Sequence, residues 1–158
     1  REGKKLAPTL ITLKNNKTQE VKQLNVGECV DENHQNQKAK LMKKWHAELA
    51  LDDYGSGYNS EKMLLSISPK FIKIDMDIIR NIGSNPDKCK IVENIVGYAH
   101  EREMKVIAEG IETIEELKQV IRLRVDYLQG YLFSKPQYVP PKIRDNIVKL
   151  IQVVNEEV

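Results

Sequence analysis

Charged side chains follow several short apolar runs along this 158-residue sequence. The pair Asp52-Asp53 ends one such run, Lys73 lies near the end of the next, and Glu109 follows a third. Carboxylate oxygens are hard ligands that suit Mg²⁺ or Mn²⁺, and a lysine beside them can orient the water that attacks a phosphate ester. The residue types are therefore candidates for divalent-metal and phosphate-ester chemistry.

The segments around these residues alternate between strand-like and helix-like patterns, which predicts repeated β/α units. We predict strands at residues 48–52, 71–75, 105–108 and 125–128. Predicted helices lie near residues 60–66, 78–82, 91–99, 113–121 and 143–154. Because the carboxyl ends of parallel strands in a β/α barrel meet at one rim, the charged side chains should come together there.

Each charged residue also has a simpler interpretation. Either Asp52 or Asp53 could cap the following turn, although two adjacent carboxylates are costly unless positive charge compensates them. Lys73 could extend from a strand end into solvent, but a charge inside an otherwise apolar run needs a partner. A carboxylate cluster is the obvious partner for Lys73.

The loop after the aspartates and the residue Gln129 leave two interpretations open. Gly55 could supply a positive φ in a tight turn or allow close approach of a phosphate. Ser56 and Tyr58 could contact a nucleotide or brace the loop. Gln129 could bind a purine edge or a phosphate oxygen, or it could hydrogen-bond to a neighbouring loop.

The length limits the architecture, because a complete β/α barrel typically takes about 250 residues. Four predicted β/α units amount to half of one, so the predicted fold is α/β, a partial TIM-type barrel spanning residues 37–158. Residues 1–36 predict a β-hairpin, with strands at 9–13 and 20–26, followed by a polar linker. This first segment carries no chemistry typical of a site.

Composition excludes several classes of protein. A net charge of +2 and the lack of a long basic patch argue against binding of a nucleic acid polymer. No apolar run approaches the ~20 residues of a membrane span, and the sequence lacks a signal-peptide pattern, so we expect a cytoplasmic protein. Cys29 and Cys89 lack metal-type spacing and are expected to be reduced thiols.

The ordered motifs of residues 38–136 resemble the EAL family of cyclic di-GMP phosphodiesterases. The resemblance rests on Leu51-Asp52-Asp53-Tyr54-Gly55-Ser56-Gly57-Tyr58, Lys73-Ile74-Asp75, Ala108-Glu109-Gly110-Ile111-Glu112 and Gln129-Gly130-Tyr131. It implies hydrolysis of one phosphodiester of cyclic di-GMP to linear pGpG at a two-metal site holding Mg²⁺ or Mn²⁺.

The resemblance also implies roles for individual residues. Asp52 would bridge the metals, Asp53 and Glu109 would complete the second metal site, and Lys73 would hold the attacking water. Glu112 would support the loop that begins at Asp52-Asp53. Catalytic roles thus fall to Lys73, Glu109 and Glu112, and substrate contacts to Ser56, Tyr58 and Gln129.

The sequence also departs from the family pattern. The Glu-Ala-Leu segment is absent, and so are the Asn and the second Glu expected on the following strands. The metal site should therefore be incomplete, and these residues alone should be weakly active or inactive. The alternative is a non-catalytic module that senses cyclic di-GMP or binds a protein partner. Because half a barrel leaves two sheet edges, we also predict a homodimer.

Overall fold

The computed structural model describes residues 10–14, 21–25, 48–55, 64, 68–139 and 141–158. Near the amino terminus, strands β1 (Leu10–Lys14) and β2 (Val21–Asn25) pair antiparallel. Their register places Leu10 opposite Asn25 and Lys14 opposite Val21. The predicted β-hairpin is confirmed.

A four-stranded parallel sheet follows the hairpin. Its strands are β3 (Ala50–Tyr54), β4 (Phe71–Ile74), β5 (Lys105–Ala108) and β6 (Tyr127–Leu128), and they lie in the sheet in chain order. Parallel strands in chain order with helices between them form the repeating architecture of a β/α barrel. The fold is therefore α/β and contains part of a TIM-type barrel, as predicted.

Helices connect and follow the strands. They are α1 (Met76–Ile79), a short 3₁₀ helix (Ile82–Ser84), α2 (Pro86–His100), α3 (Ile114–Arg122) and α4 (Asp145–Glu156). None of the helices in the described part of the chain is long and apolar enough to cross a membrane.

Local sequence signals explain where α2 and α3 begin. Pro86 occupies the first turn of α2, where its missing N–H costs nothing, and the Asn85 side chain accepts hydrogen bonds from the next backbone N–H groups. Thr113 caps α3 and forms the predicted capping box with Glu116.

The core lies between the sheet and the helices. On β4 and β5, buried residues alternate with partly exposed ones, as expected for strands with one face in the core. Ile72, Ile74, Val106 and Ala108 are completely buried on these strands. The helices add the predicted apolar stripes: Val92, Ile95, Val96 and Ala99 from α2; Leu117, Val120 and Ile121 from α3; Ile147 and Val154 from α4.

Several predicted boundaries were wrong. β3 begins and ends two residues later than predicted, and β4 ends one residue earlier than predicted. β6 contains only Tyr127 and Leu128, because Val125 and Asp126 precede its pairing with β5. Ile82 lies in a separate 3₁₀ turn.

Two apolar positions also differ from the prediction. Ile91 is 46% exposed because it lies outside the α2 stripe, and Ile143 precedes α4 and is exposed. The predicted helix near residues 60–66 lies outside the described residues except for Leu64, as does Cys29, whereas Cys89 is a free thiol.

Candidate metal site at the strand ends

A β-bulge positions the adjacent aspartates. Leu51 pairs with Ile72 and Tyr54 pairs with Ile74, so β3 uses one more residue than β4 over this interval. Asp52 and Asp53 therefore lie opposite the single residue Lys73, and Asp53 has a φ of 52°. Side chains normally alternate along a strand, but a bulge interrupts that alternation and re-aims a side chain. This local geometry lets both carboxylates reach the same rim.

Three carboxylates meet at that rim. One oxygen each from Asp52, Asp53 and Glu109 lies within 4.8 Å of the other two. Asp52 and Asp53 come from β3, and Glu109 directly follows β5. The structure therefore brings together the three residues that the sequence analysis assigns to metal binding.

Lys73 lies among these carboxylates. Its Nζ is 2.6 Å from Oδ1 of Asp52 and 2.5 Å from Oε1 of Glu109. The Lys73 and Glu109 side chains are only 23% and 16% exposed, so these ion pairs are partly shielded from water. The prediction that Lys73 needs a carboxylate partner is confirmed.

Burial and neighbouring charges shift two pKa values in the cluster. Burial alone would lower the pKa of Lys73, but hydrogen bonds to Asp52 and Glu109 and the charges of both carboxylates raise it above its usual value. For Asp53, burial and the negative charges of Asp52 and Asp75 raise the pKa, while Lys73 opposes them. Lys73 is thus held charged in a site with excess negative charge.

The turn after the aspartates requires a glycine. Gly55 has a φ of +100°, and a Cβ there would lie 2.0 Å from Cδ1 of Ile78 in α1. The positive φ makes any larger residue strained there, and the end of the Ile78 side chain would also have to move. The conformational role considered for Gly55 is therefore confirmed.

The other predicted site residues have different surroundings. Glu112 is exposed and lies in the loop after β5, where its Oε1 is 2.9 Å from NH2 of Arg80. It does not belong to the cluster of three carboxylates. The Gln129 side chain is exposed and forms no hydrogen bond with another described residue, although its backbone carbonyl accepts from the Ile111 N–H. Ser56 and Tyr58 lie outside the described residues.

The sequence matches the EAL domain family over residues 9–136. The chain belongs to this family. The match begins at residue 9 and includes the hairpin, so it extends beyond the resemblance that starts at residue 38.

Curated relatives of this EAL-family chain include cyclic di-GMP phosphodiesterases. PdeF of Escherichia coli K12 is 42% identical over 90 residues, which cover 57% of this chain and 12% of PdeF. PdeA of Borreliella burgdorferi is 36% identical over 96 residues, which cover 61% of this chain and 14% of that protein. The chain therefore spans only a small part of the length of either relative.

Solved EAL structures share the fold. The manganese and cyclic di-GMP complex of Klebsiella pneumoniae BlrP1 superposes with a TM-score of 0.65 at 32% identity, covering 71% of this chain and 28% of BlrP1. A standalone EAL protein from Vibrio cholerae O395, in its cyclic di-GMP-bound form, gives a TM-score of 0.70 at 28% identity. The match covers 77% of this chain and 52% of the Vibrio cholerae protein.

Sequence reasoning missed Arg80 and recognised only part of what Glu116 does. Glu116 was predicted as a capping-box residue, which the structure confirms, but its side chain also contacts the loop after α1. No local pattern predicts that contact, because Asn81 and Glu116 are 35 residues apart. Arg80 belongs to a helix end and pairs with Glu112 across the same interface.

Proposed function

We propose that this EAL-family chain carries part of a metal-dependent active site that hydrolyses cyclic di-GMP to linear pGpG. The observation that carries the proposal is the convergence of Asp52, Asp53 and Glu109 around Lys73. The relatives support it, because PdeF is a cyclic di-GMP phosphodiesterase and BlrP1 was solved with manganese and cyclic di-GMP.

The clustered side chains fit a divalent cation. Three carboxylates face a single ammonium group, so a cation would offset the remaining negative charge. Asp52, Asp53 and Glu109 would hold Mg²⁺ or Mn²⁺, with Asp52 also facing a second ion in the family arrangement. When bound, such a cation lowers the pKa of water and stabilises the charge that develops on the phosphate.

The charge state of Lys73 decides its role. In the metal-free chain burial would lower its pKa, but Asp52 and Glu109 raise it, and an ammonium group has hydrogen-bond donors and no acceptor. Lys73 can therefore orient the attacking water by donating a hydrogen bond, but it cannot take the proton from that water. The proton would pass to a carboxylate oxygen of the cluster.

The remaining predicted residues complete the proposal. Gln129 follows β6 at the rim and has an exposed side chain, so it is available to a substrate. Ser56 and Tyr58 are proposed as further substrate contacts, and Glu112 as a support for the loops around the site. These four roles stay predictions.

A second candidate function rests on one sequence observation. The 158 residues contain no Glu-Ala-Leu segment, so one metal of the family site lacks its ligand from that segment. These residues would then hydrolyse cyclic di-GMP poorly, or they would bind it without turnover as a sensing or protein-interaction module.

Metal binding tests the site directly. Mn²⁺ should raise the melting temperature of the unmutated chain by mass action, and Asp52→Asn should abolish that increase. Asp87→Asn removes a carboxylate that is exposed at the start of α2 and serves as the matched control, because it should leave the increase intact. The absence of any Mn²⁺ effect on the unmutated chain would contradict the shared site.

Turnover separates the two candidate functions. Chromatography of cyclic di-GMP incubated with the chain and Mn²⁺ should show pGpG forming far more slowly than about one turnover per second, an ordinary enzyme rate. Turnover at that ordinary rate would show that the missing ligands do not limit the site. Binding of cyclic di-GMP without hydrolysis, unchanged by Asp52→Asn, would favour the sensing module.

A further inference from the structure

Glu116 is the one charged residue that is buried in the described part of the chain. Its relative exposure is 1%, and it lies in the first turn of α3. A buried carboxylate is costly unless hydrogen bonds and charges compensate it. Glu116 therefore needs hydrogen-bond donors and a positive charge as partners.

Both carboxylate oxygens of Glu116 accept backbone hydrogen bonds. Oε2 accepts from the N–H groups of Glu112 (2.9 Å) and Thr113 (3.1 Å), which belong to the loop after β5. Oε1 accepts from the N–H of Asn81 (3.0 Å), which follows α1. A capping box explains only the contact with Thr113. The carboxylate as a whole joins two separate loops.

Arg80 reinforces the same junction. Its NH2 is 2.9 Å from Oε1 of Glu112, and its NH1 is 3.7 Å from Oε1 of Glu116. From the other side, the Lys88 ammonium donates to the backbone carbonyls of Asp77 (2.6 Å) and Arg80 (2.7 Å). The end of α1 is therefore held by both α2 and the loop after β5.

The two joined loops follow the strands that supply the ion pair of the site. Lys73 lies on β4, which leads through Asp75 into α1 and then Asn81. Glu109 directly follows β5, three residues before Glu112. The Glu109 N–H also donates to the Ile74 carbonyl (3.2 Å), so the junction at Glu116 lies directly beyond a backbone contact that joins the ends of β4 and β5.

We propose that Glu116 and Arg80 are positioning residues for the site at the strand ends. They hold the loop after β5 against the loop after α1, and this contact fixes Glu109 relative to Lys73. The consequence for metal binding rests on the proposed function, whereas the consequence for loop geometry does not.

The chemistry of both side chains is specific. A glutamine at position 116 would place an NH₂ group against backbone N–H donors on one side, so only a carboxylate satisfies both loops. Burial would raise the pKa of Glu116, but backbone hydrogen bonds and the charge of Arg80 lower it, and these contacts keep the carboxylate ionised. Arg80 uses two guanidinium nitrogens, a planar arrangement that lysine lacks.

Amide hydrogen exchange in the metal-free chain tests the positioning role. Glu116→Gln should accelerate exchange at Glu109 and Ile111 at least tenfold more than at the buried α2 residues Val92 and Val96. A purely structural role would accelerate all slowly exchanging amides by a common factor. Exchange that increases only at Asn81, Glu112 and Thr113, or by that common factor, would overturn the proposal.

Glu115→Gln is the matched control, because Glu115 is the exposed neighbour in the same helical turn and the change removes the same charge. It should leave exchange at Glu109 and Ile111 within twofold of the unmutated chain. An equal response to both substitutions would show that charge in the first turn of α3, and not the buried carboxylate, controls the loop.

Mn²⁺ affinity provides the second measurement, made by calorimetry at a temperature where every variant is folded. Glu116→Gln should weaken Mn²⁺ binding about tenfold, the lower end of the range for residues that support metal ligands, and Arg80→Lys should weaken it less. Unchanged affinity in Glu116→Gln would overturn the positioning of the metal site. If the unmutated chain bound no Mn²⁺, the proposed function would fail while the exchange measurement still decided the loop geometry.

Discussion

The Nζ of Lys73 lies 2.5 Å from Oε1 of Glu109 across the neighbouring strands β4 and β5. In the parallel register Lys73 pairs with Ile107. Glu109 lies two residues after Ile107, and because side chains alternate between the two faces of a sheet, Glu109 is on the same face as Lys73. The same ammonium binds Asp52 from the bulge of β3. One cation thus joins side chains from the ends of three consecutive strands.

Replacing Lys73 by methionine should destabilise the metal-free chain. The change removes the cation between Asp52 and Glu109, so the partly buried carboxylates lose their hydrogen bonds and repel one another. We expect the free energy of unfolding to fall by about 1–2 kcal/mol, discounted for partial exposure, in urea titrations.

Lys70→Met is the control for that experiment, because Lys70 is exposed just before β4, at the opposite end of the strand. Its effect should stay within about 0.5 kcal/mol, as for an ordinary surface substitution. Equal effects of the two substitutions would contradict a stabilising role for the Lys73 ion pairs. Added Mn²⁺ should restore stability to Lys73→Met because it replaces the missing positive charge.

The glycine after Gln129 is required by a backbone contact. A Cβ on Gly130 would lie 2.0 Å from the carbonyl oxygen and 2.3 Å from the nitrogen of Ile111. These groups hydrogen-bond to Leu132 and Gln129, so alanine would force the loop after β5 away from β6. Gly130→Ala should lower the free energy of unfolding by about 3 kcal/mol or more, measured by urea titration.

Gly97→Ala gives the opposite expectation. Gly97 lies inside α2, and a Cβ there would meet nothing within 4 Å. Alanine should therefore stabilise the chain by about 0.5–1 kcal/mol through its higher helix propensity. For Gly130→Ala, an unchanged urea midpoint would contradict the close packing of Gly130 against the Ile111 backbone.

Local patterns were sufficient to predict most of the fold. Short apolar runs located β4 and β5, and the Thr113 capping signal located the start of α3. The convergence of Asp52 and Glu109 followed from a general rule, because parallel strands bring their carboxyl ends to one rim. These predictions succeeded because each depended on neighbouring residues or on topology alone.

Other features depend on pairing and packing that a single sequence does not reveal. The bulge at Asp52-Asp53 exists only relative to the register of β4, so the strand was predicted to end too early. The contact of Glu116 with Asn81 joins segments 35 residues apart. Arg80 gave no signal, because a basic residue at a helix end is usually solvated.

Acid should destabilise the fold through two carboxylates. Burial opposes ionisation of Glu116, but backbone hydrogen bonds and Arg80 lower its pKa below the ordinary 4.5. Burial likewise opposes ionisation of Asp126, but Lys105, the Val106 N–H and His100 lower its pKa below the ordinary 3.8. At these two residues the unfolded state therefore binds protons more readily than the folded state, and the stability that they contribute falls as the pH drops below about 4.5.

The variant Glu116→Gln tests the sign and source of this dependence. The stabilisation that comes from Glu116 is fully present above its unfolded pKa and is lost as the pH falls through its folded pKa. Urea titrations at pH 7 should show Glu116→Gln less stable by about 2 kcal/mol, and the difference from the unmutated chain should shrink toward pH 3. A difference independent of pH would mean that ionisation of Glu116 does not contribute.

The sheet edges predict self-association. Among the described strands, β6 pairs only with β5 and β3 hydrogen-bonds only to β4, although Cα atoms of β1 come within 8 Å of β3. Tyr127 and Tyr131 are at least half exposed beside the β6 edge. Unpaired strand edges with apolar neighbours favour pairing with another chain. We therefore expect a homodimer about a two-fold axis at micromolar concentration.

Sedimentation velocity decides this prediction. Tyr131→Glu should raise the dimer dissociation constant at least tenfold, because it places a charge beside the edge that the second copy would cover. Ile91→Glu changes an exposed apolar residue on α2 and should leave the dissociation constant unchanged, because Ile91 lies on a helix and not at a strand edge. A well-folded monomer at micromolar concentration would contradict the prediction.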